Sequence, residues 1–281
     1  MKERSLVFFT LLMQSSVGSC LGFYFSELSN LSTGHTMTLF FNVGWLVGFL
    51  LSAAGLASSF FHLKVPLHAW RGMANLKTSW LSREILFATL YTGSMFVMSL
   101  LQFFPAGTII VNTVKWTALI AGLAMLFCMG SAYRLRTVKF WDSLQTIVSF
   151  YTSAVISGLL ICGTLGYAFG SDAYNIRFIL IRSGGILAML ILLNLFFSYN
   201  GFIRLISGTS EPFQKIKKMF VIRTWLGILA ASLAMLLLYV DQPVVLWVMW
   251  PVIAMAALSE LSGRVLFYAA QVPYGVYLLK G

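Results

Sequence analysis

The chain has 281 residues, of which 59% are hydrophobic and only 10% charged, and its mean hydropathy is +0.87. A water-soluble domain carries roughly 25% charged residues, so this composition excludes a soluble enzyme and describes a chain that lives in a bilayer. The formal charge of +11 reads as a topology signal rather than a nucleic-acid-binding surface, because the Lys and Arg residues gather between apolar runs.

Eight apolar runs near the 20 residues needed to cross a bilayer follow one another at 5–25, 37–61, 84–104, 113–133, 144–169, 177–200, 222–240 and 244–261. The first has the basic start of a signal peptide. Its apolar part continues too far and lacks a small-residue cleavage pattern, so it reads as a helix that stays. The runs are continuous rather than alternating, which excludes transmembrane strands. The expected fold is all-α, a bundle of eight transmembrane helices forming one integral-membrane domain over 1–281, with an amphipathic tail after the last run.

With eight crossings, every Lys and Arg except Lys115, Arg177 and Arg182 falls on one face. The opposite loops hold Glu27, Asp172 and Asp241. This asymmetry predicts cytoplasmic N- and C-termini. Three glycine pairs at i,i+4 (Gly18 and Gly22, Gly44 and Gly48, Gly166 and Gly170) offer close helix approach. Trp80, Trp116, Trp141 and Trp225 sit where indoles anchor at an interface. No internal repeat supports an inverted-repeat transporter.

Titratable groups are few. The acids are expected at helix ends or in loops, with Arg182 the deepest charge, which disfavours a carrier built on a central carboxylate. Cys20, Cys128 and Cys162 lie far apart in apolar runs, with no spacing for a zinc or iron–sulfur site. His35, His62 and His68 provide no pair spanning the membrane to hold a haem.

The exception is "FFHLKVPLHAWRGMANLKTSWLSREIL", residues 60–86, which holds two of the three histidines. A hairpin of the second and third helices returns to the same face and can bring His62 near Glu84. Pro66 stops the second helix, and Ser82 is the expected N-cap of the third, placing Glu84 in its first turn. One reading is purely structural. Glu84 complements the helix dipole, His62 satisfies terminal carbonyls, and the basic residues set topology. The other is a polar pocket for the head of a lipid-soluble quinol, whose protons a histidine and a carboxylate can accept.

The segment "HLKVPLHAWRGMANLKTSWLSREI" resembles the His-Leu-Gly-x-Pro-x-Arg-Ala-aromatic … Ser-x-x-Ser-x-Glu run of the DMSO reductase anchor subunit (DmsC-like) family. "ELSGRVLFY", from Glu260 through Gly263, Arg264 and Phe267 to Tyr268, is similar to that family's Glu-x-x-Gly-Arg-x-x-Phe-Tyr ending. The resemblance implies the membrane anchor of an anaerobic respiratory molybdopterin oxidoreductase in the bacterial cytoplasmic membrane. Such an anchor oxidises menaquinol and passes electrons to a four-cluster iron–sulfur subunit and a molybdopterin catalytic subunit. It carries no metal of its own. Position by position, the resemblance assigns menaquinol chemistry to His62 and Glu84. His68, Trp70, Arg264 and Tyr268 are further candidates for the quinol head group. Two departures stand out: Lys64 replaces the glycine and His68 the arginine of the family run. Glu260 and Arg264 also fit a structural i,i+4 ion pair. The competing functions are a membrane transporter and an anchor without a quinol site.

Overall fold

The computed structural model describes residues 2–28, 35–60, 74–104, 106–135, 138, 140–141, 143–169, 173–206, 214–237, 239 and 244–269. Among them are eight helices and no strand: α1 (Lys2–Leu28), α2 (His35–Phe60), α3 (Trp80–Leu101), α4 (Thr108–Tyr133), α5 (Leu144–Phe169), α6 (Ala173–Ile206), α7 (Gln214–Leu236) and α8 (Val244–Ala269). Each contains a stretch long and apolar enough to cross a membrane, as a bilayer that cannot hydrogen-bond the backbone requires. The expected all-α architecture is what the chain adopts.

Several boundaries differ from the sequence expectation, among them the start of α4 at Thr108 and the end of α6 at Ile206, and in three further cases the helix runs on past charge. α3 starts at Trp80, α7 at Gln214, and α8 continues to Ala269. Hydropathy ends a segment where ionisable side chains begin, whereas a helix continues whether those side chains turn inward, like Glu84 and Arg223, or outward, like Lys217 and Lys218.

The chain forms two compact units: residues 1–132 with 153–180, and residues 133–152 with 181–281. In the first, α1 packs on α2 and α2 on α3. Gly18 of α1 meets Ala154 and Gly158 of α5 so closely that a Cβ at Gly18 or Gly158 would overlap the opposing backbone. Gly44 and Gly48 receive Phe23 and the Met95 methyl group. Small residues therefore set helix spacing as expected, with Gly158 an added partner; Gly170 lies outside the described residues. At the Leu28 end of α1, Lys115 Nζ of α4 holds both carboxylate oxygens of Glu27, at 2.6 and 2.8 Å. This pairing neutralises the cation on the face expected to be poor in positive charge.

In the second unit α7 packs on α8, and aromatic rings fill one end. Trp141 stacks on Phe267 with centroids 5.0 Å apart and donates its indole N–H to the Phe267 carbonyl at 2.9 Å. It is buried, so the expectation of a lipid-interface anchor is corrected: its N–H has a protein acceptor and its ring a protein face. Trp80, Trp116 and Trp225 are exposed on the protein surface, as anchors would be.

Candidate functional site

The start of α3 is fixed by its own residues. Ser79, at φ −103° and ψ 118°, caps the helix, its hydroxyl oxygen accepting from the Ser82 backbone N–H at 3.2 Å. Ser82 is therefore not the N-cap, and Glu84 lies beyond the first turn. Arg83 braces the preceding turn. Its Nε donates to the Leu76 carbonyl at 2.8 Å and its Nη2 to that of Lys77 at 2.7 Å, while the guanidinium lies 4.4 Å from the Trp80 ring centroid. Arg83 is thus held outward over the connection, and the next residue turns inward.

Glu84 is 3% exposed inside the membrane-crossing stretch of α3. It heads a buried stripe with Ala88, Tyr91, Met95 and Met98, whose alternating spacing of four and three places them on one helix face. Cys128 of α4 is within electrostatic reach, and Trp80 sits edge-on to neighbouring Phe127 with centroids 5.6 Å apart. Among the described residues no hydrogen bond or ion pair engages the Glu84 carboxyl group. Two turns deeper, the Tyr91 hydroxyl and Ser16 Oγ share a 2.8 Å hydrogen bond, and Ser16 Oγ donates to the Gly48 carbonyl at 2.6 Å. Those polar groups are satisfied; the carboxyl group above them has no such partner among the described residues.

Burying a carboxyl group in apolar surroundings costs several kcal/mol unless something completes its hydrogen bonds. Dipole compensation does not account for Glu84, because that effect fades beyond the first turn. A proton, a water or the hydroxyl of a ligand can meet the need, and such a group exchanges protons with a bound partner. His62, His68 and Trp70 lie outside the described residues, so the expected approach of His62 to Glu84 has no geometry here.

Arg264 and Tyr268 belong to the second unit, on the last turns of α8, both buried. The Arg264 guanidinium lies 4.1 Å from the Phe150 centroid and 5.6 Å from that of Phe267, and Tyr268 stands edge-on to Tyr133 at 5.4 Å. Glu260 accepts a 2.8 Å hydrogen bond from Asn194 Nδ2 of α6. The sequence reading missed Arg223, which it assigned to the basic connection before the seventh run. On α7 Arg223 is 6% exposed and its Nη1 donates to Ser198 Oγ at 2.9 Å. It lies within the stretch Ile216–Leu236, and Glu260 and Arg264 lie within Trp247–Ala269, so the expectations that Arg182 is the deepest charge and that the acids keep to helix ends or loops are corrected: these buried groups sit further inside membrane-crossing helices. The overlooked signal was the apolar run Met219–Ile222 ahead of Arg223.

Among the described residues, no group of three or more His, Cys, Asp or Glu side chains gathers to hold a metal ion. All three cysteines are free thiols, with Cys20 and Cys128 buried and Cys162 half-buried.

The family model for the DMSO reductase anchor subunit (DmsC) matches residues 1–270. A polypeptide of the anaerobic dimethyl sulfoxide reductase of Haemophilus influenzae is 26% identical over 280 residues, 98% of this chain and 96% of that one. A subunit of the sulfite dehydrogenase of Allochromatium vinosum is 31% identical over 144 residues, 47% of this chain and 44% of that one. Both segments that resemble the family lie inside the matched range, and the chain belongs to the DMSO reductase anchor subunit family.

Proposed function

We propose that this chain, acting as one integral-membrane domain over 1–281, is the quinol-oxidising anchor of a molybdopterin oxidoreductase in the bacterial cytoplasmic membrane. Menaquinol enters from the bilayer and presents a hydroxyl to Glu84. It gives up two protons and two electrons and leaves as menaquinone. Glu84 takes one proton and His62 the other, with His68 and Trp70 beside the head group. The two electrons go to a docked four-cluster iron–sulfur subunit, and from there to the molybdopterin subunit, which supplies the chemistry on the terminal acceptor. Arg264 and Tyr268 are proposed as head-group contacts in their own unit, to be tested separately. The termini and basic connections face the cytoplasm, and the basic face receives the partner.

The observation that carries this reading is Glu84: a buried carboxyl group in a membrane-crossing helix with no hydrogen-bond or ion-pair partner among the described residues. Ionisable groups inside membranes mark ligand or proton routes. The likeness to a sulfite dehydrogenase subunit favours a second reading of direction, in which the partner delivers electrons and the same residues donate protons to menaquinone.

Quinol-analogue turnover by membranes containing the whole complex tests the assignment. His62→Ala should lower turnover by about 100-fold, the scale of losing an acid–base group, while the partner subunits stay membrane-bound. Full turnover in that variant would reduce the protein to a structural anchor. Uptake of a solute by this protein alone, without electron flow, would make it a transporter.

A further inference from the structure

The start of α3 is tied down by more than its cap. Residues 74–78 form an exposed turn ahead of the Ser79 cap. The Ser79 backbone N–H donates to the Asn75 carbonyl at 3.1 Å, and Thr78 Oγ1 donates to Asn75 Oδ1 at 2.8 Å. Arg83 then reaches back from the first turn of the helix. Its Nε meets the Leu76 carbonyl at 2.8 Å and its Nη2 the Lys77 carbonyl at 2.7 Å.

Hydrogen bonds open to water contribute little each, and exposed turns of this kind are the segments that open locally. A guanidinium donating to two successive carbonyls is a stronger device. It is always charged, and its planar fork forms both bonds from one side-chain position. The Trp80 ring, 4.4 Å away, holds that position. Leu76 and Lys77 are exposed, so the clamp fixes their backbone where no packing does.

What the clamp holds adjoins the Glu84 site. Arg83 precedes Glu84 directly, and adjacent helical residues do not face each other. Arg83 turns out to the connection while Glu84 turns in, 3% exposed. The clamped turn is also the last part of the connection whose sequence carries His62, His68 and Trp70. Ordering such a connection on ligand binding costs about 1–2 kcal/mol for each residue fixed. Fixing its end beforehand removes part of that cost from the binding step.

We propose that Arg83 is a positioning residue for quinol oxidation: by gripping the Leu76 and Lys77 carbonyls it orders the end of the His62-bearing connection beside Glu84 before the quinol arrives. The proposal rests on the quinol reading. It makes Arg83 a determinant of quinol binding rather than of proton transfer.

Steady-state oxidation of a menaquinol analogue by membranes bearing the whole complex tests this. Arg83→Gln should raise KM about tenfold, because only the fraction of molecules with an ordered connection binds, and should leave kcat near wild type, since bound quinol supplies the missing order. Arg83→Lys, with the charge but not the fork, should fall between them, and it carries the test should Arg83→Gln fail to assemble. Hydrogen exchange at the Ser79 amide gives a second readout: faster in the Arg83 variants, and slowed again by the quinol analogue. Ser79→Ala, which removes the cap and leaves the clamp, should lower the thermal midpoint without raising KM. The two claims fail differently. Wild-type kcat in Glu84→Gln removes the quinol reading, whereas wild-type KM in the Arg83 variants, a loss confined to kcat, or unchanged Ser79 exchange overturns the clamp.

Discussion

At the scale of single residues, two side chains show how burial separates chemistry from construction. Trp141 is construction. Its indole N–H donates to the Phe267 carbonyl and its ring stacks on Phe267. Trp141→Phe should cost about 1 kcal/mol, the net worth of one buried hydrogen bond, seen as a lower thermal midpoint with quinol turnover unchanged. Glu84 is the opposite case, buried with no protein partner among the described residues. Glu84 was legible in the sequence because it lies in a family-like run. Arg223 was not, because its neighbours Lys215, Lys217 and Lys218 make it look like one more connection cation. Linear sequence does not say which of several clustered cations turns inward.

At the scale of elements, the positions of helices were legible and their ends were not. Apolar runs of bilayer length leave one solution for the backbone, and all eight appear. Ends depend on caps. Two serines three residues apart, Ser79 and Ser82, both precede the third run, and the structure uses the first, with Ser82 supplying the N–H it accepts. Ser79→Ala should cost about 1 kcal/mol, measurable by thermal denaturation in detergent, while Ser82→Ala should leave the cap intact. Glycine contacts were half legible: the Gly18 motif is visible in sequence, but its partner Gly158 across α5 needs three dimensions. Gly158→Leu should destabilise by at least about 1–3 kcal/mol, the range for overpacking, because the obstacle is backbone rather than a movable side chain.

At the scale of the whole molecule, function rests on which face of the membrane the basic connections occupy. Eight crossings put the α2–α3 connection and the α3–α4 connection on opposite faces. The first carries Lys64, Arg71 and Lys77, with Arg83 of α3 braced against its end, and the second carries no Lys or Arg. Single cysteines at Thr78 and Ala106 should therefore react with an impermeant thiol reagent from opposite sides, Thr78 from the cytoplasm. Labelling of both from one side would contradict the helix count, and labelling of Thr78 from outside would reverse the orientation. The family was legible from two short segments at the ends of α3 and α8. The helices between them offer hydrophobicity that many membrane proteins share.

The central claim is that Glu84 exchanges a proton with a quinol held at the boundary of the bilayer. Its most direct measurement is oxidation of a menaquinol analogue by membranes bearing the intact complex, comparing wild type with Glu84→Gln, which keeps shape and hydrogen bonding but cannot take the proton. Turnover should fall by about 100-fold or more, with the partner subunits still attached and electron transfer from an artificial donor to the catalytic subunit preserved. Wild-type turnover in Glu84→Gln, with the complex intact, would contradict the claim.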